Sequence, residues 1–180
     1  MYKVYPKKRY DKTLALLKRF ARTDEIILDL GVRNPFSQIM EDNHYKVINT
    51  QGEDLDFEAY KLKSIQADFV TALEILEHLV NPFEVLRSLP ANKLLVTVPL
   101  RLWFAKAYRN KKDQRDCHYH EFEAWQFDML LEKAGWEIKH RMCWTHPVRK
   151  LGIRPILRYF TPRYYAIYAE KKSLGNITEK

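Results

Sequence analysis

The chain has little glycine and less cysteine. Five glycines and two cysteines stand among 180 residues. Cys117 and Cys143 cannot make a disulfide framework, so reduced thiols are expected. No apolar run approaches the roughly 20 residues that span a bilayer. The basic start, MYKVYPKKRYDK, lacks the apolar stretch of a secretory signal. Together these absences predict a soluble, cytoplasmic protein. Internal repeats and low-complexity tracts are absent too, so neither a repeat array nor a disordered spacer is expected. What is present is 46% hydrophobic and 13% aromatic, enough for one domain over 1–180 with a real core.

Charge is unevenly placed. The net charge is +8. Residues 1–22 carry Lys3, Lys7, Lys8, Arg9, Lys12, Lys18, Arg19 and Arg22 against Asp11 alone. The centre, 23–100, is acidic, and 149–172 is basic again. Such asymmetry can attract nucleic acid, anionic lipid or a phosphorylated small molecule.

Residues 25–35, EIILDLGVRNP, carry the strongest local pattern. Ile26, Ile27, Leu28 and Leu30 read as a parallel strand covered on both faces. Asp29 places a carboxylate near its carboxyl end, and Gly31 permits a sharp turn and close backbone approach. Asn34 and Pro35 read as N-cap and first helical residue. In open α/β sheets ligands bind outside the carboxyl ends of strands, so this segment predicts both a fold class and a site.

The run Asp29-Leu30-Gly31-Val32-Arg33-Asn34-Pro35 resembles the D-x-G-x-G-x-G turn of class I S-adenosylmethionine-dependent methyltransferases. Its first glycine is present; Arg33 and Pro35 replace the other two. Residues 67–89, ADFVTALEILEHLVNPFEVLRSL, are similar to the F-D-x-V…L-E-H-L-x-x-P segment of the broad type-11 group, with Asp68, Val70, Leu76, Glu77, His78, Leu79 and Pro82 in matching places. KLLVTVP at 93–99, His120-Glu121-Phe122 and LLEKAGW at 130–136 continue the resemblance in order, over about 25–144.

The resemblance implies an α/β, Rossmann-like, doubly wound, mostly parallel sheet with an antiparallel last strand. Strands are expected at about 26–30, 45–49, 67–73, 93–98, 136–144 and 164–171. Residues 50–66 show little apolar alternation, which leaves the family's third strand missing or vestigial. A leading basic helix lies within 1–22, a helix starts at Asn81 with a Glu84 capping box, and another runs over 121–134 to Gly135. Residues 101–116 are expected as a loop with a helical portion, 146–163 as a basic insertion, and 173–180 as a tail.

The same resemblance implies S-adenosylmethionine as cofactor. Asp29 and Gly31 would serve its methionine end, Asn49 or Thr50 a ribose hydroxyl, and Asp54 the adenine side. Leu73 and Glu74 would border the adenosyl and methyl region. Asn49 stands where ribose-binding folds usually carry a carboxylate, and a neutral partner bonds more weakly. His78 can act as a base near neutral pH or link its loop to the next helix. No metal is expected: Cys117, His118, His120 and Glu121 cluster, but no second Cys/His pair stands at ligand spacing elsewhere, and the resemblance implies a polar edge of the substrate pocket there instead.

The function implied is methyl transfer to a small-molecule, lipid or glycan acceptor, received by the basic, aromatic segments 101–115 and 149–163. Two readings stand beside it. The altered glycine turn and neutral strand-two end suit a methyltransferase-like binding module that has lost its cofactor. The basic ends suit a nucleic-acid binder or methyltransferase, although no Asn-Pro-Pro-Tyr-type motif follows the 67–73 strand. Peripheral membrane contact through 151–168 is a further option, in which two prolines preclude one continuous helix.

Overall fold

The computed structural model describes residues 7–113, 116–148 and 151–172. The first six residues of the basic leader and the 173–180 tail lie outside them. Six strands form one sheet in the order β2-β1-β3-β4-β6-β5. β1 (Ile26–Asp29), β2 (Lys46–Asn49), β3 (Phe69–Leu73) and β4 (Lys93–Pro99) run parallel. β6 (Pro162–Lys171) lies antiparallel between β4 and β5 (Trp136–Thr145). The expected Rossmann-like architecture is therefore the one formed.

Both faces of the sheet are covered, which explains the unbroken apolar run of β1. Successive side chains on a strand point to opposite faces. Ile27 packs with Phe69, Leu95 and Tyr168 beneath α1 (Lys7–Phe20) and α2 (Pro35–Asp42), against Leu16, Leu17, Phe36 and Met40. Leu28 turns the other way, to Val70, Val96 and Ile167 beneath α4 (Pro82–Ser88) and α5 (Ala124–Lys133). There Leu86, Phe127 and Leu131 fill the layer, and the buried Trp136 indole donates to the Leu86 carbonyl at 3.1 Å.

Among the described residues the family's third strand is absent. After β2 the chain forms α3 (Leu55–Glu58) and a 3-10 turn over Ala59–Ser64. Leu55, Ala59 and Leu62 are buried. Their spacing of four and three residues is helical rather than alternating, so this stretch caps the layer instead of extending the sheet. β2 is left at the edge, with Ile48 exposed.

Local signals set the helix starts. Asn34 caps α2, accepting from Phe36 N at 2.8 Å, while Ser37 Oγ accepts from Asn34 N. Pro35 follows at the first helical position. Asn81 caps α4 by accepting from Glu84 N, but the expected reciprocal bond from Glu84 is not made. The Asp56 carboxylate takes the Val80 and Asn81 N–H groups instead, at 3.0 and 2.8 Å. α5 starts three residues later than predicted, because Leu100 pairs with Phe122 and holds that segment extended. Gly135 ends it with φ +93°.

The predicted helical portion of 101–116 does not form among the described residues. Backbone donors there are taken by distant acceptors: Tyr108 N donates to Glu121 Oε1, and Asn110 N to the Asp116 carbonyl. Within the basic insertion α6 (Ile153–Phe160) forms beside β5 and β6, with Pro155 in its first turn. Among the described residues, no helix is long and apolar enough to cross a membrane.

The chain leaves β1 through α2 to β2 on one side, then crosses to β3 on the other. That reversal makes a switch point between β1 and β3, where a crevice opens outside the strand ends.

Candidate functional site

The floor of the crevice is Asp29. Its carboxylate is 1% exposed and accepts from Thr71 Oγ1 at 2.7 Å, Ser37 Oγ at 2.9 Å, and the Asn34 and Asn49 amides at 3.1 Å each. Burial pushes its pKa up, and the four donors pull it back. Asp29 therefore ties β1, β2, β3 and the α2 cap together. Asn49 is part of that knot, since its amide also faces Gly31 O at 3.2 Å. Thr50 Oγ1 accepts from Gly31 N at 2.7 Å. The end of β2 thus holds the glycine turn. Gly31 has φ +105°, a conformation L side chains rarely adopt, and a Cβ there would meet only Ile75 Cδ1, at 3.9 Å.

Arg33, at the second glycine position of the motif, does not fill the crevice. Its guanidinium folds back along α2 onto Glu41 and Gln38. Pro35 removes a single N–H from the helix start.

Three adjoining cavities run along the strand ends. The central one, about 210 Å³, is lined by Asp29, Gly31, Asn34, Leu73, Glu74 and Arg9 among others. Val32 and Ile75 are shared with a second, which reaches Asp54, Leu55 and Leu79. Arg9 and Glu74 are shared with a third, lined also by His78, Tyr108, His118, Arg163 and Tyr164. The structure thus brings Asp29, Gly31, Leu73 and Glu74 to one cleft. It places Asp54 at one neighbour, where the side chain caps α3, and His78 between the two flanks. Asn49 lines none of the three cavities.

Glu74 stands at φ +58°, rare for a residue with a Cβ, and its N–H donates to Thr97 O. This turn directs the carboxylate toward Arg9, at 3.1 Å. Burial raises the Glu74 pKa, opposed chiefly by Arg9. Burial also raises Glu77 well above the usual carboxylate range, and the neighbouring Glu74 charge adds to it. His78 is held below its ordinary value, first by burial.

His118 lines the third cavity, within the segment expected at a polar edge of the substrate pocket; Arg9, Glu77 and Arg163 were not singled out as site residues by sequence reasoning. Arg9 and Arg163 lie in the two basic segments, whose charge was visible but whose landing point was not. Glu77 sat inside the recognised Glu-His pair.

No family model matches the sequence, and no curated protein does. Solved structures match its fold. The 1,6-didemethyltoxoflavin-N1-methyltransferase of Burkholderia thailandensis superposes with a TM-score of 0.62 at 14% identity, over 91% of this chain and 77% of that one. An S-adenosylmethionine-dependent methyltransferase from Mesorhizobium loti gives 0.61 at 13%, over 87% and 96%. The cyclase SpnF gives 0.57 at 13%, over 94% and 83%. The fold is that of the class I S-adenosylmethionine-dependent methyltransferases. A cyclase among the neighbours illustrates that a fold hosts more than one chemistry, so function must be argued from the crevice.

Proposed function

We propose that this chain transfers a methyl group from S-adenosylmethionine to a small acceptor carrying an anionic group. The observation that carries this reading is the continuous crevice across β1 and β3, with Gly31 at its centre and ionic groups on both sides. Gly31 lets a ligand lie against the backbone. Arg9 and Glu74, side by side, complement an amino acid's carboxylate and ammonium. The cavity beyond Val32 and Ile75 offers apolar Leu55 and Leu79 beside Asp54, suited to an adenosine end. The altered glycine motif does not close this path, because Arg33 turns away onto α2.

The bound sulfonium supplies an activated methyl group, so the protein's task is chiefly to align the acceptor. The third cavity would do this. Arg9 and Arg163 give it positive charge, and His78 lies at its edge. The acceptor would be a metabolite, lipid or glycan intermediate. A second reading of the surface follows from α6. It exposes Ile153, Ile156 and Phe160, with Arg154 and Arg158 on the same short helix. This combination suits contact with an anionic bilayer, which would deliver a lipid acceptor.

Calorimetric titration with S-adenosylhomocysteine tests the reading. Micromolar binding is expected, weakened at least tenfold by Val32→Trp, which fills the junction of two cavities from an exposed position. No binding by the folded wild type would overturn it in favour of a module without cofactor.

A further inference from the structure

One wall of the third cavity brings together residues from two distant stretches. Glu77 and His78 follow β3, and His118 comes from the loop after β4. One donor atom from each of the three lies within 4.8 Å of the other two. His78 Nε2 is 3.8 Å from Glu77 Oε1, and the two imidazoles meet edge-on with centroids 4.9 Å apart.

The tautomers are set by what surrounds them. His78 Nδ1 is 3.0 Å from the Cys117 carbonyl oxygen, which can only accept. His118 Nδ1 is 2.9 Å from Glu121 Oε1, which also accepts. In the neutral form each ring therefore carries its proton on Nδ1, which leaves the Nε2 lone pair for a cation. Metal-binding histidines are oriented in this way, by a carbonyl or carboxylate on the second nitrogen. Glu77 provides the independent observation. It is 1% exposed, and its Oε2 has no hydrogen-bond partner among the described residues. Oε1 is the oxygen that faces His78, and a cation bound to this carboxylate offsets the cost of burying its charge with Oε2 lacking a donor.

We propose that Glu77, His78 and His118 form a divalent-cation site, with Glu121 and the Cys117 carbonyl orienting the two imidazoles. Two nitrogens and one carboxylate suit zinc, cobalt or manganese better than magnesium or calcium. A metal about 2.1 Å from its donors holds them roughly 3.4 Å apart, so small side-chain rotations close the site. Its remaining positions face the cavity shared with Arg9 and Arg163, where an oxygen of the acceptor would complete the coordination. The binding of metal stands independently of methyl transfer; its use in presenting an acceptor rests on that reading. Cys117 and His120 do not join the cluster, since Cys117 Sγ lies 3.6 Å from Asn110 O and His120 Nε2 lies 3.2 Å from Val80 O.

The test is titration of untagged, chelator-stripped full-length protein with cobalt, read by visible absorption and by retained metal after gel filtration. One equivalent per chain is expected, displaced by zinc. His118→Ala should weaken it at least 100-fold and Glu121→Gln about tenfold or more, while His44→Asn changes nothing. Folding is followed by circular dichroism, and His78→Gln replaces any variant that unfolds. Binding of S-adenosylhomocysteine is measured on the same samples, so loss of the metal site and loss of the cofactor reading are told apart. The proposal is overturned if the folded wild type retains no equivalent of cobalt, zinc or manganese, or if uptake is unchanged in both histidine variants.

Discussion

Arg9 Nη1 of α1 stands 3.1 Å from Glu74 Oε2 at the end of β3, with only 13% and 11% of the two side chains exposed. The leading helix is thereby fastened to the strand end that borders the crevice. Removing one partner leaves a largely buried charge without its counter-ion, which typically costs 3–5 kcal/mol. Arg9→Met should therefore destabilise by about 3 kcal/mol or more in urea unfolding. The double variant Arg9→Met/Glu74→Gln should recover more than half of that loss. Additive losses would show that the pair is not coupled.

Gly31 gives a second prediction. A Cβ there would meet only Ile75 Cδ1, at 3.9 Å, so no clash is created. The φ of +105° is the obstacle. Gly31→Ala should cost about 1–3 kcal/mol through backbone strain. Adding Ile75→Ala should give no rescue; rescue would mean that contact, not conformation, sets the cost.

His146 predicts a pH response. Burial lowers its pKa, and Arg158, Arg9, Arg163 and Lys8 lower it further. These charges come from α1, α6 and β6, and the ring itself meets Tyr164 of β6 edge-on. The unfolded chain binds the His146 proton near the ordinary value of about 6.5, and the folded chain binds it only at lower pH. In that window the unfolded state holds more protons. The contribution to stability is therefore present above about pH 6.5 and is lost as pH falls through the folded value. His146→Gln should flatten the melting temperature between about pH 7 and 5. An unchanged slope would assign the acid sensitivity to other groups.

The sheet could be read from local signals because those signals are local. Asn34-Pro35, Asn81-Pro82 and Gly135 each act within one turn of chain, and β1 reports its double coverage in four residues. The loss of the third strand was legible as missing alternation, though the helical spacing of Leu55, Ala59 and Leu62 was the clearer sign. Asp29, Gly31, Leu73 and Glu74 meet because parallel neighbours β1 and β3 end together. What failed to show was longer in range. The Glu84 capping box gave way to Asp56, some 25 residues away, and the helical portion of 101–116 gave way to acceptors at Asp116 and Glu121. The meeting of Glu77 with His118 depends on a loop crossing over the end of β3, where Tyr119 and His120 N–H groups bond to the Glu77 carbonyl. No spacing rule records that crossing.

α6 carries the last prediction. Ile153, Ile156 and Phe160 recur at three and four residues, so they share one face, and each is more than half exposed. Burying such a face would repay the roughly 25 cal/mol per Å² of apolar surface that water now covers. Gly152 before the helix and Thr161 after it confine the element to eight residues, too short for stable binding by apolar contact alone. Arg154 and Arg158 supply the electrostatic part, worth about 1 kcal/mol per charge at an anionic surface. We therefore expect co-sedimentation with vesicles containing phosphatidylserine and none with purely zwitterionic ones. Binding should fall steeply with salt, and Ile156→Glu/Phe160→Glu should abolish it without lowering the melting temperature. If the double variant instead converts a dimer to a monomer in analytical ultracentrifugation and vesicles are not bound, the face is covered by a second copy of the chain and the membrane reading fails.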